Sequence, residues 1–298
     1  MTILNQMPKI IVIVGPTASG KSDLAVKLAK KFNGEIISAD SRQVYRGMDL
    51  GTGKITKKEM AGIKHYLLDI ASPSKQFSVA RYKKLALKAI KKIQKENKIP
   101  IICGGTGFYI QAVVDDLSVP PVKPDLKLRT QLEKSTAKEL YSRLKKLDPK
   151  RAQNIDACNK RRLIRALEIV IKTGQPVPEK QTRQSFNALF LGIKKSPRKL
   201  NRLIKTRLKK RLKKGMIAEV KKLRRQGLSW KKLENFGLEY RWLARYLQKK
   251  ITYQVMVLGL QKDIEHYAKR QMVWFKKDSR IFWIKNFKEA SKLVKNFL

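Results

Sequence analysis

The sequence predicts an α/β fold, a parallel sheet flanked by helices and interrupted by an inserted all-helical domain. Three observations predict it. The apolar runs at 9–14 and 99–103 lack polar alternation, as strands buried on both faces do. They alternate with helix-period segments, the β–α–β order that builds parallel sheets. Two proline-rich breaks, at 119–125 and 175–178, bracket a stretch patterned only as helix.

In chain order, Lys-Ile-Ile-Val-Ile-Val over 9–14 is the first strand, and a glycine loop follows it. Residues 22–32 place Ala25, Leu28, Ala29 and Phe32 on one helical face. Residues 35–39 form a second strand that ends at Asp40. Over 79–97, Tyr82, Leu85, Ala86, Ala89, Ile90 and Ile93 make an amphipathic stripe, and 99–103 is a third strand ending at Gly104-Gly105-Thr106. Within the bracketed stretch, Asp148-Pro149 opens one helix and Gly174 closes another that starts at Arg161. Residues 186–193 return as a strand. Basic helices follow, then an amphipathic helix over 254–277, a short strand over 281–284 and a terminal helix. The expected division is 1–118 for the first part of a catalytic core, 119–185 for the helical insertion, and 186–298 for the return to the core with basic helices.

Composition narrows the function classes. The chain has 298 residues, 42% of them hydrophobic, which is enough for a real core and excludes a disordered basic tail. Cys103 and Cys158 cannot build a disulfide scaffold, and neither has the neighbours of a zinc site. The apolar run at 10–14 is too short for a signal-peptide core or a membrane span, so a soluble cytoplasmic protein is expected. Lys and Arg total 69 against 23 acids, a net charge of +46 that points to a polyanionic partner. Residues 199–250 hold 19 basic and 3 acidic residues, whereas 1–52 hold 7 and 4. The surplus therefore lies outside the segment that carries the chemistry, and part of it is expected to be compositional background.

Gly15-Pro16-Thr17-Ala18-Ser19-Gly20-Lys21-Ser22 matches G-x-x-x-x-G-K-[ST] in full, between a strand and a helix. Such a loop turns backbone N–H groups toward phosphate at a helix N-terminus, Lys21 adds a point charge, and Ser22 can hold Mg²⁺ against phosphate oxygens. The core is thus P-loop NTPase-like, and its ligand a diphosphate or triphosphate. Asp40, at a strand end, admits three readings: a magnesium-organising aspartate, a general base facing an acceptor, or a cap for the turn that follows. The polar loop over 41–53 suits a cleft. Gly104-Gly105 permits close backbone approach, and Thr106 offers a hydroxyl.

Taken in order, several blocks resemble the tRNA dimethylallyltransferases. They are the phosphate loop, Ser-Ala-Asp-Ser over 38–41, Tyr-Arg-Gly-Met-Asp-Leu-Gly-Thr over 45–52, and Gly-Gly-Thr-Gly-Phe-Tyr over 104–109. Arg-Arg-Leu-Ile-Arg-Ala-Leu-Glu over 161–168, Tyr240-Arg241, and Ala-Lys-Arg-Gln-Met-Val-Trp-Phe over 268–275 complete the set. The resemblance spans nearly the whole chain and is to the compact bacterial form. It implies transfer of a dimethylallyl group from its diphosphate to the exocyclic amine of the adenosine 3′ to the anticodon in tRNA. It implies that the phosphate loop and Mg²⁺ hold the leaving diphosphate, that Asp40 is the general base, and that Lys21, Thr106 and Arg207 assist. Asp40, Ser41, Arg42, Gln43, Thr106, Arg129, Arg161, Arg162 and Arg165 fall where the family meets the tRNA anticodon stem-loop. The adenosine must leave its stack, with Tyr45, Phe108 and Tyr109 as candidate faces for it. A monomer without membrane attachment is expected. The sequence departs from the family at Arg161 (commonly Gln), Glu239 (commonly Gly) and 264–266 (commonly Thr-Arg-Gln). From the motifs alone, a small-molecule kinase and a non-catalytic RNA-binding P-loop protein remain as rivals, and a sister prenylation of free adenine nucleotides shares the chemistry.

Overall fold

The computed structural model describes residues 7–179 and 181–298. Contacts divide the chain into two compact units, one joining the residues up to Asp116 with Arg183–Leu298, the other Leu117–Thr182. The bounds of the second unit differ from the expected 119–185 by two residues at one end and three at the other.

The first unit opens with β1 (Lys9–Val14), α1 (Lys21–Lys31), β2 (Gly34–Ser38), α2 (Lys57–Met60) and β3 (His65–Tyr66). It continues through α3 (Val79–Lys95), β4 (Ile99–Gly104) and α4 (Gly107–Val114). The six strands of the sheet run in the order β3-β2-β4-β1-β5-β6, where β5 is Asn187–Ile193 and β6 is Ile281–Ile284. Every pairing is parallel, with Val14 opposite both Gly104 and Gly192. Along β1, Ile10, Val12 and Val14 enter one buried cluster while Ile11 and Ile13 enter another. Alternate side chains thus meet apolar layers on both faces, which is why the strand carries no polar alternation.

The layer containing Ile11 and Ile13 is completed by α1 and by α14 (Phe287–Phe297), through Leu28, Ala290 and Val294. The opposite layer receives α3, α4 and a run of C-terminal helices. These are α9 (Pro197–Lys213), α10 (Met216–Arg225), α11 (Trp230–Phe236), α12 (Leu238–Leu247) and α13 (Tyr253–Phe275). The sequence reading lacked α2, β3 and α4: the first two are four and two residues long, too short to show a period, and the eight-residue α4 buries five of its residues and so shows no polar face.

The second unit consists of α5 (Leu126–Leu132), α6 (Ala137–Leu147), α7 (Pro149–Gln153) and α8 (Lys160–Thr173). Its own core gathers Leu132, Leu140, Leu144, Leu163, Leu167 and Val170. Each helix start is written in the sequence: Asp125, Thr136, Asp148 and Asn159 accept from the N–H three residues on. Gly174, at φ 65°, closes α8. Asp148 does more than cap, because its second oxygen accepts from the Val177 N–H at 2.7 Å and ties down the chain after α8.

Candidate functional site

The carboxyl ends of β1, β2 and β4 deliver the three segments that carry chemistry to one edge of the sheet, where parallel α/β proteins bind ligands. Beyond β1, the loop over 15–22 is shaped by its glycines. A Cβ on Gly15 would lie 2.8 Å from the Ile193 carbonyl oxygen, and Gly20 takes φ 95° at the head of α1. No side chain caps α1, so its first N–H groups are left for an anion. Lys21 curls back to donate from Nζ to the Pro16 carbonyl at 2.7 Å. Burial pulls its ammonium down to about 8, with the Arg207 charge adding to the effect and Cys103 and Asp40 opposing it. Ser22 is exposed in the first turn of α1, and its hydroxyl has no protein partner among the described residues. Burial pushes the Cys103 thiol up to about 11, so it stays a neutral core group.

Asp40 follows β2. Its Oδ1 accepts from the N–H groups of Arg42 at 2.8 Å and Gln43 at 3.2 Å, so it does cap the turn. Nothing donates to Oδ2 among the described residues. Thr106 fixes the same turn from the end of β4: its Oγ1 accepts from the Ser41 N–H at 3.1 Å, and its own N–H donates to Ala39 at 3.1 Å. This stitching needs Gly104, where a Cβ would stand 2.2 Å from the Ala39 oxygen. Gln43 reaches on to the Gly53 carbonyl at 3.4 Å, and Arg207 of α9 donates to the same oxygen at 2.8 Å.

The segment 49–53 that carries Gly53 is gripped by further side chains, of which the sequence reading named Glu239 and Tyr240 but neither Glu219 nor Arg211. Glu219 of α10 accepts from the N–H groups of Asp49, Leu50 and Gly51 at 2.9, 2.6 and 2.9 Å, and from the Tyr240 hydroxyl at 2.8 Å. Arg211 donates to the Gly51 carbonyl at 2.9 Å and pairs with Glu239. Glu239, a departure from the resembled family, is thus the buried counter-ion of an arginine that holds the loop. Gln271 of α13 was also passed over as an individual residue. Its Oε1 accepts from the Thr17 N–H at 2.8 Å, and its Nε2 donates to the Gly105 carbonyl at 2.9 Å. The block over 268–275 was the only signal for it.

Similarity to known proteins shows the family. The family model for IPP transferases matches residues 43–278. The chain belongs to the IPP transferase family. A tRNA dimethylallyltransferase of Acetivibrio thermocellus is 40% identical, the match covering 97% of this chain and 96% of the relative. The crystal structure of the full-length tRNA isopentenylpyrophosphate transferase of Bacillus halodurans superposes with a TM-score of 0.72 at 36% identity, over 97% and 95% of the two chains. A eukaryotic dimethylallyltransferase captured acting on tRNA matches with a TM-score of 0.73 at 30% identity, over 90% of this chain and 69% of that one.

Within this IPP transferase, the insertion arginines separate into two kinds. Arg161 and Arg162 are exposed at the head of α8. Arg129 instead forms a bidentate pair with the fully buried Glu168, at 2.8 and 2.7 Å, and Arg165 binds Glu168 and the Val122 carbonyl. Burial works to raise the Glu168 carboxyl, but bonds from Arg129, the Asp125 N–H and Arg165 prevail and hold it at about 2. Two of the expected aromatic faces belong to the core. Tyr45 is buried edge-on to Phe236 and accepts from the Phe77 N–H, and Tyr109 stacks on Tyr82 at 4.0 Å. Phe108 remains 38% exposed. No group of three or more acids, histidines or cysteines able to hold a metal occurs among the described residues.

Proposed function

We propose that this chain is a tRNA dimethylallyltransferase that modifies the adenosine 3′ to the anticodon, using dimethylallyl diphosphate. The observation that carries this reading is the meeting, at one sheet edge, of a phosphate loop and a carboxylate with one uncommitted oxygen. The relatives' names, tRNA dimethylallyltransferase among them, support tRNA as the acceptor.

In this reading the loop N–H groups and Lys21 bind the diphosphate, and Arg207 adds charge from the side of the 49–53 segment. The adenine amine attacks C1 of the dimethylallyl group. As its C–N bond forms, the C1–O bond breaks and the electron pair leaves with the diphosphate. The amine hydrogen becomes acidic only as that bond forms, and Asp40 accepts it through Oδ2. Thr106, whose hydroxyl oxygen holds the Asp40 turn, retains a hydrogen to donate at the reaction centre. Mg²⁺ suits the donor set, because that ion accepts one protein hydroxyl with phosphate oxygens and water, and Ser22 presents a free hydroxyl. It would supply neutralisation of the leaving diphosphate. The exposed Arg161 and Arg162 are the insertion's candidates for phosphate contacts, with Arg129 and Arg165 holding their helix. Ser41, Arg42 and Gln43 flank the base. The protein acts as a cytoplasmic monomer. No described helix is long and apolar enough to cross a membrane.

The test is incubation with unmodified tRNA, dimethylallyl diphosphate and Mg²⁺, followed by mass analysis of nuclease digests. One prenyl mass on a single adenosine is expected. Phosphorylation of a small acceptor from ATP, with no tRNA product, would overturn the reading.

A further inference from the structure

We propose that Glu239 is a positioning residue for charge: by pairing with Arg211 it cancels the second cation beside Arg207 and limits how tightly the site holds diphosphate. The inference rests on Arg207 and Lys21 binding the donor's diphosphate, as proposed above.

Three charged side chains stand in a row along the segment 49–53. Arg207 and Arg211 lie one turn apart on α9, and each donates to a carbonyl of the segment, Gly53 at 2.8 Å and Gly51 at 2.9 Å. The Arg207 guanidinium lies against Gly53, where a Cβ would stand 2.3 Å from its Nη2. Glu239, in the first turn of α12, accepts from Nη2 of Arg211. Both members of this pair are 9% exposed, so salt and water screen their attraction little.

The row acts on the phosphate loop through its charge. Arg207 helps to pull the Lys21 ammonium down. Arg207 is itself lowered, by burial first and then by Arg211, with Glu239, Glu59 and Asp40 opposing. An anion bound at Lys21 and Arg207 therefore meets the sum of the Arg211 and Glu239 charges, which is near zero while both are present. Without the carboxylate charge it would meet one more cation. Diphosphate leaves the reaction as product, and a site that held it more tightly would release it more slowly.

Fold stability is a poor reason for the pair. Apolar side chains of similar volume commonly stabilise a core as well as a buried ion pair does, and here the Arg211 Nε is left buried without a partner. The carboxylate is also this chain's own, because the resembled family commonly has Gly at 239.

The experiment is calorimetric titration of the full chain with inorganic diphosphate in Mg²⁺, on the wild type, Glu239→Gln, Arg211→Met and the double variant. Glu239→Gln keeps an oxygen for Arg211 and removes only the charge, so diphosphate should bind about three- to tenfold more tightly. Arg211→Met leaves the carboxylate unopposed and should weaken binding by a similar factor. The double variant should return to within about twofold of wild type. The fitted stoichiometry counts folded protein, so a partly unfolded variant still reports its affinity. A pair that only holds the fold predicts the other sign for Glu239→Gln. Weaker or unchanged binding in that variant would overturn the proposal, and so would a double variant in which two losses add. Because the readout is binding of diphosphate alone, it separates from the transferase reading. Opposite shifts without tRNA product sink only the transferase, and product without opposite shifts sinks only the role of Glu239.

Discussion

Asp40 divides its carboxylate between two tasks: Oδ1 holds the N–H groups of Arg42 and Gln43, while Oδ2 has no protein donor among the described residues. Asp40→Asn keeps an oxygen for the turn and removes the proposed proton acceptor. Turnover should fall ~10²–10⁴-fold, with tRNA affinity within a few-fold of wild type. Equal losses in both, by single-turnover assay and filter binding, would make the residue structural. Lys21 sets a pH limit. Burial lowers its pKa from 10.5 to about 8, so the ammonium is intact below that value and is lost as pH rises through it. Affinity for the diphosphate donor should therefore weaken above pH about 8, and Lys21→Arg, which stays charged, should flatten the dependence. A flat wild-type profile of donor Kd through that range would remove the case for a depressed lysine.

At the scale of elements, the segment 49–53 has no regular structure, yet it is fixed by four side chains from later helices. Glu219 takes three of its N–H groups, Arg211 and Arg207 take its carbonyls, and Tyr240 closes the cluster. Gly51 is required because a Cβ would meet the Tyr240 ring at 2.4 Å. Glu219→Gln leaves one acceptor oxygen where two served four donors, and each stranded donor that water does not reach costs about 1–3 kcal/mol. The expected outcome is a lower melting temperature together with a kcat reduced about tenfold, since the displaced Gly53 releases both Arg207 and Gln43. A lower melting temperature with kcat unchanged would show that the clamp does not position the site. In the insertion, Glu168 plays the same organising part for Arg129 and Arg165. The resemblance groups all four insertion arginines as tRNA contacts, and only their bonds to Glu168 set Arg129 and Arg165 apart from Arg161 and Arg162.

For the whole molecule, a net charge of +46 forecasts how a polyanion arrives. Affinity for tRNA should fall steeply with salt, because each neutralised phosphate releases counterions. Arg162→Ala should reduce the slope of log K against log salt by about one unit. An unchanged slope, measured by filter binding across a salt series, would put Arg162 away from phosphates.

Much of the fold lay within reach of the sequence because its determinants are local. β1 and β4 at the centre of the sheet are nearly continuous apolar runs, the insertion helices carry caps at their starts, and the phosphate loop is a contiguous motif whose glycines are dictated by backbone geometry. The bounds of β5 and α13 fall within a residue or two of the expected ones for the same reason. The positions of Asp40 and Thr106 were legible as well, since each lies two residues past the end of a strand. What tertiary structure alone decided is which long-range partner each polar group takes. Gln271 lies 254 residues from the Thr17 N–H it occupies, and Glu219 lies about 170 from the loop it grips. Tyr45 and Tyr109 turn inward because apolar neighbours from α11 and α3 bury them. A hydrogen bond between distant segments leaves no period or spacing in the sequence; it exists only once the sheet edge has brought the segments together.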